Sequence, residues 1–282
     1  MLAQPGYVRH MPTQADKAER FLALHQGDAP LLMPNPWDRG SAKLLASLGF
    51  QALATTSSGF AATLGRLDGA VTRDEALAHS AALVDATDLP VSADLENGFA
   101  HDPAGVAETI GGAIEAGLAG CSVEDYAGRA DDTIYDAGLA AERVAAAVEV
   151  AHAGPVHLVI TARAENHVHG RDDLEDTIAR LQAYQQAGAD VLFAPGVIAL
   201  DDVRRLVSSV DRPVNVLPRP GGPSVAELAA VGARRISVGG AFAFAALGAV
   251  VAAARELLDE GTYSYWDGAS VGVAAARSAF RD

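Results

Sequence analysis

The chain has 282 residues, half of them hydrophobic, and carries 21 Lys and Arg against 36 Asp and Glu, a formal net charge of −15 with His neutral. This composition argues against a disordered chain and against nucleic-acid binding, which requires a basic surface, and the single cysteine excludes a disulfide framework, a Cys-rich zinc site and a CxxC redox pair. No apolar run reaches about 18 residues without Gly or a charge, and the N-terminus lacks an apolar signal core, so we expect a cytoplasmic protein without a membrane partner.

Short apolar runs alternate with longer Ala-rich stretches along the chain. A first helix is predicted over 14–25, and later helices begin at a capping box on Thr72 and at Asp102-Pro103. The predicted strands start roughly 29 residues apart, the length of a strand, a helix and two loops. They predict a (β/α)8 TIM-type barrel whose bottom is covered by the first helix. These eight strands are 31–34, 52–55, 91–95, 120–124, 158–162, 191–194, 214–217 and 235–238.

The region after the last strand is longer than a barrel requires. No interdomain linker interrupts the chain, so a single domain over 1–282 is predicted, with the barrel and its N-terminal helix over 12–258. Residues 259–282 form a predicted C-terminal helical extension. Because a barrel needs only one helix after its eighth strand, we expect the surplus to cap the barrel or to pack on a partner subunit.

Polar residues follow the predicted strands at their C-terminal ends, where the active sites of such barrels lie. A purely structural barrel would not need this concentration. The main ones are Asn35, Trp37 and Asp38 after the first strand, Thr56, Ser57 and Ser58 after the second, Asp94 and Glu96 at the third, Glu124 at the fourth, Arg163 and Glu165 at the fifth, and Asn215 at the seventh.

Asp94, Glu96 and Glu124 are the candidate metal ligands. The first two are two residues apart and so share a strand face, and Glu124 ends the neighbouring strand. Three carboxylates at one mouth repel one another unless a cation joins them. Oxygen ligands without His or Cys favour Mg²⁺, with Mn²⁺ as the alternative. The competing interpretation is that individual carboxylates cap the next helix or pair with Arg163.

Arg163 and the serine segment are candidate anion-binding groups. An arginine suits bidentate recognition of a carboxylate or phosphate, although an ion pair with Glu124 or Glu165 is a structural alternative. The backbone N–H groups at Ser57 and Ser58 can cradle an anion, but small polar residues are also ordinary in turns.

Cys121 lies three residues before Glu124 and therefore points to the opposite face of its strand. We predict a buried, inert thiol packed against the helices rather than a nucleophile. His167 and His169 have a spacing that could bind metal, but mobile loop histidines are the preferred interpretation.

Eight motifs together resemble the isocitrate lyase/phosphoenolpyruvate mutase superfamily. They are PNPWD, ATTSSGFA, SADLENG, SVEDYAG, ITARAEN, ADVLFAPG, PVNVL and RISVGGA, and the likeness runs over about 31–258. Within the superfamily, the chain is similar to the carboxyvinyl-carboxyphosphonate phosphorylmutase-like group. The resemblance implies a (β/α)8 barrel, a bound Mg²⁺ and an enolate intermediate of a small 2-oxo acid. It also implies a homotetramer, a dimer of dimers, with terminal helices swapped between subunits.

The same resemblance assigns roles by motif position. Asp94, Glu96 and Glu124 match the acids that hold Mg²⁺, and Asp68 matches a further carboxylate near the ion. The predicted substrate-binding residues are Trp37, Asp38, Thr56, Ser57, Ser58, Arg163 and Asn215.

The loop after the fourth strand departs from the family. The lyase branch carries Lys-Lys-Cys-Gly-His there and the phosphonate branch uses Lys and Asn, whereas this loop reads YAGRADDT with Arg129 as its only cation. This disfavours an isocitrate or methylisocitrate lyase. A gating loop over 126–136 would still exclude water and supply the last catalytic group, from Tyr126, Arg129 or Tyr135.

The preferred function is therefore an Mg²⁺-dependent lyase or decarboxylase that forms or cleaves a C–C bond of a small 2-oxo or 2-hydroxy carboxylate through an enolate. Its predicted catalytic residues are Arg163, Glu124, Tyr126 and Arg129. The alternatives are a mutase or hydrolase acting on a P–C bond, for which two arginines offer little positive charge, and a non-catalytic barrel that binds a small acid.

Overall fold

Eight short strands alternate with helices in the computed structural model, which describes residues 12–128 and 133–281. All eight predicted strands are confirmed within one or two residues of their ends. The strands are β1 (Leu31–Met33), β2 (Leu53–Ala54), β3 (Val91–Asp94), β4 (Gly120–Glu124), β5 (Val159–Arg163), β6 (Val191–Phe193), β7 (Val214–Val216) and β8 (Arg235–Ser237). The helices are α1 (Gln14–Leu24), α2 (Arg39–Ser47), α3 (Ser57–Thr63), α4 (Arg73–Val84), α5 (Pro103–Glu115), α6 (Ala137–His152), α7 (Leu174–Gln186), α8 (Leu200–Ser208), α9 (Val225–Ala230), α10 (Ala241–Arg255) and α11 (Trp266–Ala279).

The strands form one parallel sheet in the order β1-β8-β7-β6-β5-β4-β3-β2. A ladder between β1 and β8 sets Leu31 opposite Arg235, and the Ala54 N–H donates to the Pro34 carbonyl over 3.1 Å between the two remaining strands. The sheet therefore curls into a nearly closed (β/α)8 barrel of the TIM type, as predicted.

Strand alternation divides the barrel interior from the layer beneath the helices. Cys121 faces outward and is fully buried among residues such as Ile110 and Ala147, as its position relative to Glu124 predicts. Burial raises the pKa of its thiol, with Asp190 adding to the rise, so the thiol is not a nucleophile at neutral pH.

The first helix closes the barrel bottom. Phe21 of α1 is fully buried with inward-facing residues from the starts of several strands, among them Val159 and Val191. A Cβ at Gly120 would lie 2.8 Å from the Phe21 ring, so the aromatic plug requires a glycine there.

Hydroxyl and carboxylate groups at the top of the barrel begin several helices. Thr72 and Glu75 form the predicted capping box of α4, and Asp102 caps α5, which has Pro103 at its first position. Asp38, Asp136 and Asp173 cap α2, α6 and α7 in the same way. Helix capping is thus the established role of one group of acids at this end of the barrel.

The C-terminal region leaves a large apolar surface uncovered. α10 continues as a π-helical turn (Glu256–Glu260), and the combined segment Ala241–Glu260 is long and apolar enough, by length and composition alone, to cross a membrane. α11 returns to α2, where a Cβ at Gly40 would lie 3.6 Å from the Phe280 ring. The division at residue 258 stays a prediction. The exposed side chains include Phe244, Leu247, Val250, Val251, Leu258, Trp266 and Val271.

Candidate active site

Arg163 occupies the centre of the polar end of the barrel. Its Nη1 lies 2.8 Å from Asp94 Oδ1 and 3.1 Å from Glu124 Oε2, and its Nε lies 2.9 Å from Glu165 Oε1. Glu124 and Arg163 are direct partners in the β4–β5 ladder, which sets them at one level. One guanidinium therefore holds three carboxylates supplied by three neighbouring strands.

The cluster contains more negative charge than Arg163 neutralises. Burial raises the pKa of Glu124 well above its usual range; Arg163 opposes this rise, while Glu165, Asp94 and Glu96 add to it. Burial also raises the pKa of Glu165, against the opposing effect of Arg163. Burial alone would lower the pKa of Arg163, but its acidic neighbours raise it far above the usual value. An additional cation at this position would lower the repulsion.

Glu96 reaches the cluster by a different route from the one the sequence indicates. β3 ends at Asp94, and Glu96 lies in the turn beyond it with a φ of +48°, so strand alternation does not place the two carboxylates on one face. A hydrogen bond of 3.0 Å from the Glu124 N–H to the Glu96 carbonyl fixes this turn. A left-handed glutamate costs about 1–2 kcal/mol, and such strain concentrates at functional sites.

Asp68 lies in the loop after α3. Although the residue is exposed, its carboxyl group receives a hydrogen bond from the Ser57 side chain and faces the cluster. Partial burial of the carboxyl group raises the pKa of Asp68, and the charge of Asp94 raises it further. The structure therefore brings Asp68 together with the predicted metal ligands.

The segment after β2 is the start of α3 and not an open turn. Thr56 caps this helix by accepting from the Gly59 N–H over 3.3 Å, and its hydroxyl contacts Ser58 Oγ over 3.2 Å. The Ser57 N–H donates to Asp94 Oδ2 over 3.2 Å. These three residues therefore border the acid cluster, and the Ser57 amide is bonded to an acid of the chain itself.

The remaining predicted substrate contacts differ in what they do. The Asp38 carboxylate accepts from the Ser41 N–H over 2.6 Å as a helix cap, which is the role of a structural acid. Trp37 precedes it, and its Cβ lies 3.2 Å from the position that a Cβ on Gly59 would take. The starts of α2 and α3 are therefore packed closely together. Asn215 faces the barrel interior, and its Nδ2 donates to Ser237 Oγ over 2.9 Å.

The loop after β4 contains the predicted acid–base candidates. Tyr126 pairs with Ile134 in an isolated antiparallel bridge, and its ring stacks on His169 with centroids 3.7 Å apart. Tyr135 is buried; its hydroxyl lies 2.7 Å from His101 Nδ1, and the Arg143 guanidinium lies 4.2 Å from its ring centroid. Arg129 lies outside the described residues.

Three features of the site were not predicted from the sequence. The Asn35 side chain joins three strand ends, because its Nδ2 donates to the Thr55 carbonyl and its Oδ1 accepts from the Val238 and Gly239 N–H groups. Buried Asp125 accepts from Tyr184 and Arg180 and holds the Glu165 N–H over 2.8 Å. Arg235 lies inside the barrel. The sequence signal for Arg235 is a charged residue at a position of an apolar strand that alternation turns toward the barrel interior.

A second potential metal-binding group lies at the start of β6, toward the barrel bottom. The Nε2 atoms of His152 and His157 lie 3.1 and 2.9 Å from the two carboxylate oxygens of Asp190, and one ligand atom from each residue fits within 4.8 Å. Asp190 also accepts from the Ile160 N–H over 2.8 Å, which gives it a structural role at the bottom of the sheet. This group is separate from the acid cluster.

The acid cluster fits a divalent cation of the Mg²⁺ type. Its donors are carboxylate oxygens only, which suit a hard cation, and their summed charge exceeds that of Arg163. Asp94, Glu124, Glu96 and Asp68 would hold such an ion. An eight-stranded parallel barrel with an acid cluster and an arginine at its C-terminal mouth defines a barrel enzyme.

Comparison with known proteins gives the family. A family model described as phosphoenolpyruvate phosphomutase matches residues 21–258. The chain is 31% identical to oxaloacetate decarboxylase of Chromohalobacter salexigens over 260 residues, covering 88% of each chain. It is 30% identical to 2-methylisocitrate lyase of Escherichia coli over 213 residues, 73% of this chain and 69% of that enzyme.

A solved structure from Burkholderia cenocepacia, of a protein named provisionally as a lyase/mutase, is 53% identical. It superposes with a TM-score of 0.86 and covers 89% of this chain and 91% of its own. The chain belongs to the isocitrate lyase/phosphoenolpyruvate mutase superfamily, and it is an enzyme of the lyase or mutase type.

Proposed function

We propose that the chain is an Mg²⁺-dependent lyase or decarboxylase that acts on a C–C bond of a small 2-oxo or 2-hydroxy carboxylate through an enolate, with Mn²⁺ as the alternative ion. The observation that carries the proposal is the set of three carboxylates on Arg163 beside Asp68 and Glu96. The cluster has excess negative charge at the place where the proposed reaction requires both a cation and an acidic substrate.

The chain's own residues then have distinct tasks. Asp94, Glu124, Glu96 and Asp68 would hold the ion, and Arg163 would pair with the substrate carboxylate once part of its acid contact is released. The amides and hydroxyls of 56–58 would fix that carboxylate from the α3 side, with Trp37, Asp38 and Asn215 around it. When bound there, the ion would supply Lewis-acid polarisation of the substrate's 2-oxo group. Tyr126 and Arg129, the predicted catalytic groups of the loop after β4, would exclude water from the site and transfer the proton.

C–C chemistry is the first choice because of two observations. The chain spans most of an oxaloacetate decarboxylase at 31% identity, and arginines 129 and 163 offer little charge for a phosphoryl group. The match to the phosphoenolpyruvate phosphomutase model supports P–C bond chemistry as the second candidate. Turnover of oxaloacetate but not of phosphonopyruvate would favour the first; the reverse would favour the second.

Thermal melting with Mg²⁺, with and without oxalate, tests the site. Oxalate mimics the planar pyruvate enolate, and about 100-fold excess over Kd adds about 2.7 kcal/mol to the free energy of unfolding. We expect a large shift only when both are present, and no such shift in Asp94→Ala. Binding without turnover across a broad panel of acids would support a non-catalytic barrel, and the absence of any shift would contradict the proposed site.

The uncovered apolar face of α10 and α11 supports a homo-oligomer, which we propose as a dimer of dimers in the cytoplasm. The face includes Phe244, Leu247, Val250 and Val251, all of them at least 46% exposed. Light scattering of Val250→Asp should report a smaller particle than wild type. Association of the wild-type protein with liposomes would instead favour a membrane role for Ala241–Glu260.

A further inference from the structure

Two histidines and an aspartate converge at the bottom of the barrel, at the opposite end from the acid cluster. His152 is the last residue of α6, His157 lies in the turn that follows it, and Asp190 immediately precedes β6. The Nε2 atom of His152 lies 3.1 Å from Asp190 Oδ2, and that of His157 lies 2.9 Å from Oδ1. Three side chains from two neighbouring helix–strand turns therefore meet at one place.

The separations of these atoms match those between the ligands of a tetrahedral zinc ion. Zn–N and Zn–O bonds of about 2.0–2.2 Å place ligand atoms about 3.3 Å apart at tetrahedral angles. Both His–Asp distances are within about 0.4 Å of that value, and one ligand atom from each residue fits within 4.8 Å. Four residues separate His152 from His157, a spacing that is typical of paired zinc-binding histidines.

Asp190 is already oriented to act as a ligand. Its side chain is only 8% exposed, and its Oδ2 accepts from the Ile160 N–H of β5 over 2.8 Å. Such a bond from a neighbouring group is how proteins fix the orientation of a carboxylate that binds a metal. The carboxylate therefore needs little rearrangement when an ion arrives.

The two imidazole rings are arranged side by side. Their centroids are 3.8 Å apart and their planes differ by 18°, so both Nε2 atoms face the carboxylate together. Two imidazolium charges at this separation repel each other and one carboxylate balances only one of them, whereas a divalent cation binds two neutral rings. Tetrahedral bonding requires the centroids to separate by about 1 Å more. The partly exposed His157 side chain can provide this by rotating outward.

The mixed donor set selects a different ion from the one that suits the acid cluster. Imidazole nitrogen suits Zn²⁺ and related transition-metal ions, whereas a set of carboxylates suits Mg²⁺. The side chains of His152 and His157 are 26% and 42% exposed, so one side of the group is open to solvent. A water molecule can therefore complete a four-coordinate site.

We propose that His152, His157 and Asp190 bind Zn²⁺ with water as the fourth ligand, and that the ion fastens the turn after α6 to the start of β6. The site is separate from the acid cluster and does not depend on the proposed function. Because the three ligands come together only in the folded chain, zinc binding adds to the stability of the fold.

A zinc titration of the untagged full chain tests the site. The protein is first freed of metal with a chelator and then kept in excess Mg²⁺, and a chromophoric chelator competes for the zinc. We expect one zinc ion per chain. His157→Gln removes the more exposed ligand and should weaken binding about 100-fold or more, since even loss of a group that supports a ligand costs 10- to 100-fold.

His169→Gln is the matched control. It removes an exposed histidine from the loop after β5, at the opposite end of the barrel, and should leave the affinity for zinc within about twofold of wild type. His157→Gln is preferred to a substitution of Asp190, because Asp190 also holds the Ile160 amide.

Thermal melting and cobalt substitution give two further measurements. A zinc concentration of about 100 times Kd should raise the melting temperature of wild type and His169→Gln by about 5 °C and leave that of His157→Gln unchanged. Co²⁺ in place of zinc should show the strong visible absorption of a tetrahedral ion, whereas Co²⁺ in an octahedral oxygen site absorbs weakly. The joint effect of Mg²⁺ and oxalate on melting should be the same in His157→Gln as in wild type.

Three results would overturn the proposal. Zinc binding of wild-type strength in His157→Gln would place the ion elsewhere, and loss of binding in His169→Gln alone would place it in the loop after β5. A wild-type chain that binds no zinc in excess Mg²⁺ would show that the three residues form only a hydrogen-bonded cluster. Absence of the effect of Mg²⁺ and oxalate in wild type would contradict the proposed function and leave the zinc site untouched.

Discussion

The two ends of the barrel interior are built on opposite principles. At the C-terminal end, Asp94, Glu124 and Glu165 crowd around Arg163, and burial raises the pKa of two of these acids. At the N-terminal end, Phe21 fills the opening with apolar contacts. The upper end is electrostatically unfavourable without a ligand, and the lower end stabilises the fold. Activity and stability should therefore respond to different substitutions.

The largest expected effect is at the upper end. Asp94→Asn keeps the shape but removes a charge from the cluster, so it should lower kcat/KM by about 10³-fold and abolish the joint effect of Mg²⁺ and oxalate on melting. Steady-state kinetics measures this. Asp211→Asn is the control, because Asp211 is exposed at the opposite end, before β7. Equal activity of the two variants would contradict the assignment of the site.

At the lower end, Phe21→Ala should cost about 3–5 kcal/mol in the free energy of unfolding, because it leaves a cavity in the plug. Urea denaturation measures the loss. The kcat/KM of the folded fraction should stay within about twofold of wild type, since Phe21 does not contact the acid cluster. A large fall in kcat/KM at full folding would show that the two ends are coupled.

His25 lies between the plug and Arg235 and gives the lower end a pH dependence. Burial, followed by the charge of Arg235, lowers its pKa from 6.5 to about 3, so the folded protein keeps it neutral. The unfolded chain takes up a proton as the pH falls through 6.5, and stability is therefore lost in acid. From pH 6.5 to pH 5 this group should contribute about 2 kcal/mol of loss.

Urea titrations of wild type and His25→Gln at several pH values isolate this contribution. The absolute stability of the variant is not the test, because Nδ1 of His25 also contacts the Phe21 carbonyl at 2.8 Å. The difference in slope is the test. Parallel curves for the two proteins would show that His25 titrates normally in the folded state.

The smallest expected effect separates capping groups from site groups within the upper end. Thr72→Ala removes the cap of α4 and should cost about 1 kcal/mol with unchanged kcat/KM. Thr63→Ala, at an exposed hydroxyl at the end of α3, should change stability by less than about 0.5 kcal/mol. If Thr72→Ala impairs catalysis, the distinction between the two kinds of polar group fails.

The sequence predicts the barrel well because its signals are local and repeated. Strand runs, caps such as Thr72 and Asp102, and the inert position of Cys121 all follow from periodicity and turn chemistry. The division of the upper acids into caps and cluster members does not follow, because an Asp at the end of a strand looks the same in both roles. Asp38 shows this: its carboxylate caps α2, and its contact with substrate stays a prediction.

The site is less predictable where the backbone leaves regular geometry. Alternation along β3 predicts that Glu96 lies near the acid cluster, as it does, but it predicts the wrong backbone conformation. The strand ends two residues earlier, at Asp94, and Glu96 adopts a positive φ. The start of α3 at Ser57 likewise differs from the turn that its small polar residues predict. Alternation along β8 is enough to turn Arg235 toward the barrel interior, but its hydrogen bond to Thr161 across the barrel is a long-range property that the sequence does not show.

The enclosure of Cys121 between sheet and helices has a practical consequence. The chain has one cysteine, and its thiol is sealed from reagents. A cysteine introduced at Leu67, which is 71% exposed and adjacent to Asp68, would be the only thiol open to a maleimide dye. Fluorescence from that single label would then report the binding of metal and acid at the mouth of the barrel. Cys121 would not need to be replaced first.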